Sequence, residues 1–205
     1  MIIDTRGTGH MAPYRRPLAF ALIALAVVLV ATVLAAFRWG GPDGGLVVLN
    51  QVGAHSVALG WVSLAALCGA VLVGVRKPMT RVIVGVPVLA LGAPVMGIVT
   101  LLSMLGGGQE QESSLAAPGR EDRRLVVETG SAMIDPLWFV YVHQGTWPRE
   151  RHWAVGYFNG DADDNGLREA VWTGPDRIRL TTSGGEVHEV TVAPDGRPDR
   201  TVSAG

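Results

Sequence analysis

The sequence predicts a membrane protein: three transmembrane helices followed by a small all-β antiparallel C-terminal domain of meander or sandwich type. Three observations carry that expectation. Uncharged, strongly apolar runs occupy residues 18–37, 54–75 and 82–105. The basic residues of the first half are packed before and between these runs. The last third alternates apolar and polar residues between turn signals.

A helix needs about 20 predominantly apolar residues to cross a hydrocarbon core roughly 30 Å thick. All three runs meet that length. The first is preceded by Tyr14-Arg15-Arg16-Pro17, which resembles a twin-arginine signal, and Val33-Leu34-Ala35 has the small residues of a cleavage site. The run is long for a signal core, however, and the chain after Ala35 is not polar, so an uncleaved anchor is expected. Gly40 to Gly45 then reads as a turn. Within the second run lie His55, placed near an interface, and Cys68, the single cysteine. One cysteine excludes an intrachain disulfide and a cysteine zinc cluster, and a small apolar thiol in mid-span is expected simply to pack. The pairs Ala65/Gly69, Ala70/Gly74 and Ala93/Gly97 have the small-xxx-small spacing that lets helices approach closely. Trp39 and Trp61 suit an interfacial belt, and Pro87 and Pro94 should kink the third span for packing. The span cores hold no ionisable group of the kind that marks a proton or ion pathway.

Orientation follows from where the positive charges fall. Arg6, Arg15 and Arg16 precede the first span, Arg76, Lys77 and Arg81 separate the second from the third, and the first loop holds only Arg38. Loops rich in Lys and Arg stay cytoplasmic. The expected topology is therefore a cytoplasmic N-terminal segment (1–17), a membrane region (18–105) and an extracytoplasmic tail. Residues 1–105 carry seven basic and two acidic groups, a balance of +5, and residues 106–205 carry ten basic and sixteen acidic, a balance of −6. An acidic tail repels phosphate backbones, so nucleic acid is not an expected partner. Arg outnumbers Lys sixteen to one, and Ala, Gly and Val abound, as in high-GC bacterial genomes.

Residues 106–122 are polar and small, without apolar period, and read as a flexible linker. Residues 123–195 read as an independently folding β-domain, and 196–205 as a disordered end. Six strands are expected, at 125–129, 137–143, 152–158, 167–172, 177–182 and 187–192. If Ser183-Gly184-Gly185 is a three-residue hairpin loop with a bulge, Leu180 faces His188 and Ile178 faces Val190. A loop centred on Trp147-Pro148 makes His143 and His152 cross-strand neighbours. Two imidazoles can bind a transition metal, but stable sites usually have three or four ligands. Trp138, Trp147, Trp153 and Trp172 could line a groove, although strand tryptophans more often pack in cores.

The sharpest local motif is Asn159-Gly160-Asp161-Ala162-Asp163-Asp164-Asn165-Gly166. Asp161, Asp163 and Asn165, with Gly166, match the first, third, fifth and sixth positions of a calcium loop. Oxygens at alternating positions wrap a hard cation, and glycine permits the bend. The twelfth position is Trp172 rather than Glu, so a solvated loop is the expectation and calcium the incomplete alternative. No catalytic constellation is legible: Ser131 and Ser183 lack a nucleophile-elbow context, and neither a phosphate loop nor a zinc-protease helix is present. No cofactor is expected.

The run Trp153-Ala-Val-Gly-Tyr-Phe-Asn-Gly-Asp161, then Asn165-Gly-Leu167, then Val171-Trp-Thr-Gly-Pro-Asp-Arg-Ile-Arg-Leu-Thr181 resembles the C-terminal domain of uncharacterised small multi-pass membrane proteins of high-GC Gram-positive bacteria. The resemblance covers about 70 residues. It implies a bacterial cell-surface setting and brings no activity with it. The expected function is a non-catalytic extracytoplasmic binding or interaction module, its partners the lipid bilayer and an envelope protein or envelope component. A structural or regulatory subunit acting through its helices, and a cell-surface hydrolase, are the competing expectations.

Overall fold

The computed structural model describes residues 14–105, 108–132 and 135–204. Arg6 and the rest of 1–13, Gly106 and Gly107 of the expected linker, and Gly205 lie outside the described residues. The elements are α1 (Arg15–Trp39), β1 (Asp43–Leu46), α2 (Val47–Ala54), α3 (Ser56–Gly74), α4 (Pro78–Leu105), β2 (Glu110–Ala117), β3 (Arg120–Ala132), β4 (Asp135–Gln144), β5 (Arg151–Asn159), β6 (Leu167–Gly174), β7 (Arg177–Thr182), β8 (Val187–Thr191) and β9 (Val202–Ala204). They form two compact units, a helical one built from residues up to 34 and from 55–100, and a β-rich one built from 35–54 and 101 onward.

In the helical unit, α1, α3 and α4 are each long and apolar enough to cross a membrane. Glycine sets how closely they pack, because a backbone without Cβ admits a neighbour's side chain. A Cβ at Gly74 of α3 would lie 3.1 Å from Cβ of Ala19 on α1, and one at Gly69 would lie 3.3 Å from Cδ1 of Leu22. On the α4 side, Gly92 receives Leu64 and Gly60 receives Met96. So α3 is the middle helix, with two of its expected small-residue positions turned to α1. Gly97, also singled out by spacing, meets no neighbouring atom within 4 Å. Trp61 Nε1 donates to Thr100 Oγ1 at 3.0 Å, which in turn donates to the Met96 carbonyl at 2.7 Å. The last carbonyls of a helix lack intrahelical donors. Here Arg15 Nε donates to Val73 O at 3.1 Å and Arg81 Nη2 to Val75 O at 3.0 Å, so two of the early arginines cap the C-terminal end of α3.

The β-rich unit contains two sheets. The larger runs β1-β5-β4-β3-β2, with β9 also paired to β5, and the smaller runs β6-β7-β8. All six expected strands are present. The β7–β8 hairpin has the expected register, Leu180 opposite His188 and Ile178 opposite Val190, with Gly185 at positive φ closing the turn. His143 and His152 are paired across β4 and β5, also as expected. Alternation explains the core. Leu125, Val127, Val140, Val142, Val155 and Phe158 from the larger sheet meet Ile178, Leu180 and Val190 from the smaller one.

Three segments differ from the sequence expectation. Glu110–Ala117, inside the expected linker, is strand β2, paired antiparallel with β3. Its polar, small composition hides the strand because its stability comes from backbone pairing rather than a buried apolar face. The first loop is more than a turn, since Asp43–Leu46 pairs antiparallel with β5 and Val47–Ala54 forms α2. Val202–Ala204, in the expected disordered end, pairs parallel with β5. The outer edge of β5 is thus shared, β1 taking residues 151–153 and β9 residues 156–158. The parallel strand is the one exception to an otherwise antiparallel fold. Val47 N–H donates to Glu150 O at 3.0 Å. Ala54 lies with Leu137 and Phe139 in the lining of a cavity of about 370 Å³. Those two points lay α2 along the face of the larger sheet that is turned away from the core.

Candidate functional site

A cleft of about 530 Å³ lies at the β5 edge of the β-rich unit, between the β1 loop and the turn joining β8 to β9. Its floor is Trp153, only 9 % exposed. Two glycines at positive φ make this floor possible. A Cβ on Gly44 (φ 82) would stand 3.0 Å from Trp153 Nε1, and one on Gly196 (φ 93) would stand 2.7 Å from Trp153 Cζ3. Backbone therefore presses on both sides of the indole where any other residue would be strained as well as crowded.

Each wall is fixed locally. Ala154 N–H donates to Pro42 O at 2.8 Å and Arg151 Nη1 to Gly44 O at 3.3 Å, which hold the β1 loop. In the opposite wall, Asp195 Oδ1 accepts from the Arg197 N–H at 3.2 Å, a side-chain-to-backbone turn, and Ala193 N–H donates to Arg197 O at 2.8 Å. Asp199 Oδ1 accepts from Thr191 N–H at 3.0 Å, and Thr201 Oγ1 donates to Ala154 O at 3.3 Å. Behind this wall lies Arg123, with no exposed surface. It donates to Ala193 O at 2.7 Å, Pro194 O at 3.2 Å, Pro175 O at 3.3 Å and Gln144 Oε1 at 2.8 Å, and also to the Asp176 carboxylate. A buried guanidinium is tolerated because nearly every donor has an acceptor.

A second polar cluster lies on the face of the larger sheet that is turned from the core. Glu150 accepts from Arg124, and its Oε1 lies 3.2 Å from His143 Nδ1. The His143 and His152 rings are 5.8 Å apart, and Tyr141 meets His152 edge-on at 5.5 Å. His152 is 3 % exposed and its Nδ1 has no hydrogen-bond partner. Burial pushes His152 down to about 4, reinforced by His143 and opposed by Glu150. His143 is also lowered, first by burial, against the pull of Glu150. Burial pushes Tyr141 up to about 12, helped by Glu128, whose own carboxyl is held above its ordinary value by burial.

The structure places the sequence-derived candidates as follows. Asp161, Asp163 and Asn165 lie in the loop that carries the chain from β5 in the larger sheet to β6 in the smaller. Asn165 Nδ2 donates to Asp161 Oδ1 at 3.4 Å, while Asp163 is exposed. The loop is tied to the β7–β8 turn, since Gly184 N–H donates to Asp164 O at 3.1 Å and Ser183 N–H to Gly166 O at 2.7 Å. Among the described residues, no group of three His, Cys, Asp or Glu side chains is gathered as for a metal ion. Trp138 and Trp172 pack against the core, and Trp172 Nε1 donates to Leu115 O at 3.0 Å, joining β2 to the smaller sheet. Trp147 is 75 % exposed at the β4–β5 tip. Of the four tryptophans, Trp153 alone lines the cleft. The cleft's other residues, six of them charged, come from three distant segments and were not singled out by sequence as a site. No family model, curated protein or solved structure matches the chain.

Proposed function

We propose that this protein is a membrane-anchored binding module of a bacterial cell envelope, its β-rich unit extracytoplasmic and its cleft the ligand site. The observation that carries the reading is the pairing of β1 with β5. A strand in the first loop and a strand after the third span belong to one sheet, so both lie on the same side of the bilayer. That requires an even number of crossings between them, which α3 and α4 supply. The basic residues before α1 and between α3 and α4 support an outside location for that side, because loops rich in Lys and Arg stay cytoplasmic. The polar cleft, assembled from both segments, gives the module something to bind with.

Topology tests the reading. In a Cys68→Ala background, Trp147→Cys should react with a membrane-impermeant maleimide in intact cells, because Trp147 is exposed at a hairpin tip. Alkaline phosphatase fused after the last residue should be active. Labelling that appears only after the membrane is broken inverts the topology and removes the surface reading.

A second reading has its own support. Within this chain α4 contributes no buried residue, and much apolar surface of the three helices is left for lipid or for other helices. A subunit acting through its spans would keep its phenotype when residues 108–205 are deleted, whereas a binding module would lose it.

A further inference from the structure

The cleft holds three guanidinium groups, Arg151, Arg197 and Arg200, and three carboxylates, Asp43, Asp195 and Asp199. Charges of opposite sign sharing a cleft usually pair. Here they do not: among the described residues no ion pair joins any of the three arginines to any of the three aspartates. Arg151 and Arg200 each donate to a backbone carbonyl, Gly44 O and Glu189 O. Asp195 and Asp199 each accept from a backbone N–H. Among the described residues the side chains of Arg197 and Asp43 have no hydrogen-bond or ion-pair partner, and both are exposed on opposite walls.

Resting on the binding-module reading, we infer that the cleft takes a small zwitterionic ligand, one bearing a carboxylate and an ammonium group, as a short peptide with free termini does. A simple anion would be drawn by the arginines and repelled by the aspartates, and a simple cation would meet the reverse. A molecule with both charges, held apart, satisfies both walls at once, Arg197 offering a planar fork to the carboxylate and Asp43 an acceptor to the ammonium. The volume of about 530 Å³ lies in the usual range for small-ligand sites. The predominance of charged lining residues disfavours an apolar ligand.

The test is titration calorimetry on the full-length chain in detergent micelles. The probes are trialanine, its N-acetylated form, its C-terminal amide, and the neutral sugar chitotriose. Trialanine should bind at least tenfold tighter than either capped peptide. Arg197→Ala should abolish the difference between trialanine and its amide, and Asp43→Asn the difference between trialanine and its acetylated form. Neither side chain makes a contact on which the fold depends. Equal binding of free and capped peptides, no binding of trialanine at millimolar concentration, or binding of chitotriose alone would each overturn the inference. Because micelles have no sides, those failures leave the topology experiment untouched, and an inverted topology leaves the ligand chemistry untouched.

Discussion

Arg123 of the larger sheet, with no exposed surface, donates to the carboxylate of Asp176 in the turn between β6 and β7 of the smaller sheet. The pair joins the two sheets. The same guanidinium holds the carbonyls of Ala193 and Pro194, so it also supports the wall of the cleft that carries Arg197.

Arg123→Ala should therefore be among the most damaging single changes in the β-rich unit. It leaves Pro194 O and Gln144 Oε1 without their donor, leaves Ala193 O only the Gly196 N–H, and opens a void, a loss of about 3–5 kcal/mol for unpaired buried acceptors and a cavity. Asp176 is half exposed, and Arg123 keeps its other acceptors in Asp176→Asn, which should cost about 1 kcal/mol. Thermal melts of the two variants check the order. Equal losses would mean that the ion pair, rather than the carbonyl cradle, dominates.

A fragment of residues 123–195 lacks β1, β2 and β9, and with them the β1 wall of the cleft and all of the opposite wall except Asp195. Stripped of its partners, β5 presents a bare edge, and the apolar core is small for independent stability. Far-UV circular dichroism of this fragment should show no cooperative melt. A sharp transition would establish that the added strands are dispensable and bear out the independent domain expected from sequence.

Stability should fall on acidification. Burial holds His152 at about 4 and His143 below its ordinary 6.5, so between pH 6.5 and 4 the unfolded chain binds more protons than the folded one. The His152 contribution, present above pH 6.5 and lost as pH falls through 4, is on the order of 3 kcal/mol. Glu128, held above its ordinary value, acts in the opposite sense and softens the loss. Melts at pH 7 and pH 4.5 should differ by several degrees, and His152→Gln should flatten the dependence. An unchanged slope in that variant would assign the effect elsewhere.

Calcium should leave the melting temperature nearly unchanged at millimolar concentration. Asp161 and Asn165 are joined to each other, Asp163 is exposed, and the twelfth position is Trp172, whose indole is committed to Leu115 O. A rise of several degrees, abolished by Asp161→Ala, would make the loop a cation site.

What could be read from sequence follows from which strands bury apolar side chains. Strand β7 alternates because one face enters the core, β4 and β5 are apolar on both faces, and Ser183-Gly184-Gly185 fixes the register of the last hairpin. In β1, β2 and β9 most residues are small or polar, so no periodicity betrays them, and they are held largely by backbone pairing, with only Ala117 and Val202 buried as apolar side chains. The cleft was hidden for a related reason. Asp43, Arg151 and Arg197 converge only after strands far apart in sequence have paired, and nothing local in any of the three segments marks a site.

The β1–β5 pairing also has a consequence in time. Gly44 and the Arg151 that donates to it are separated by 107 residues of chain. At a synthesis rate of about 5–20 residues per second, β1 waits roughly 5–20 s for its partner strand to be made. During that interval α3 and α4 are synthesised and placed, and closing so long a loop is itself slow. The larger sheet, and with it the cleft, is completed only once both later helices have been made and β9 has arrived. A finished cleft is therefore a molecular record that synthesis has passed β9.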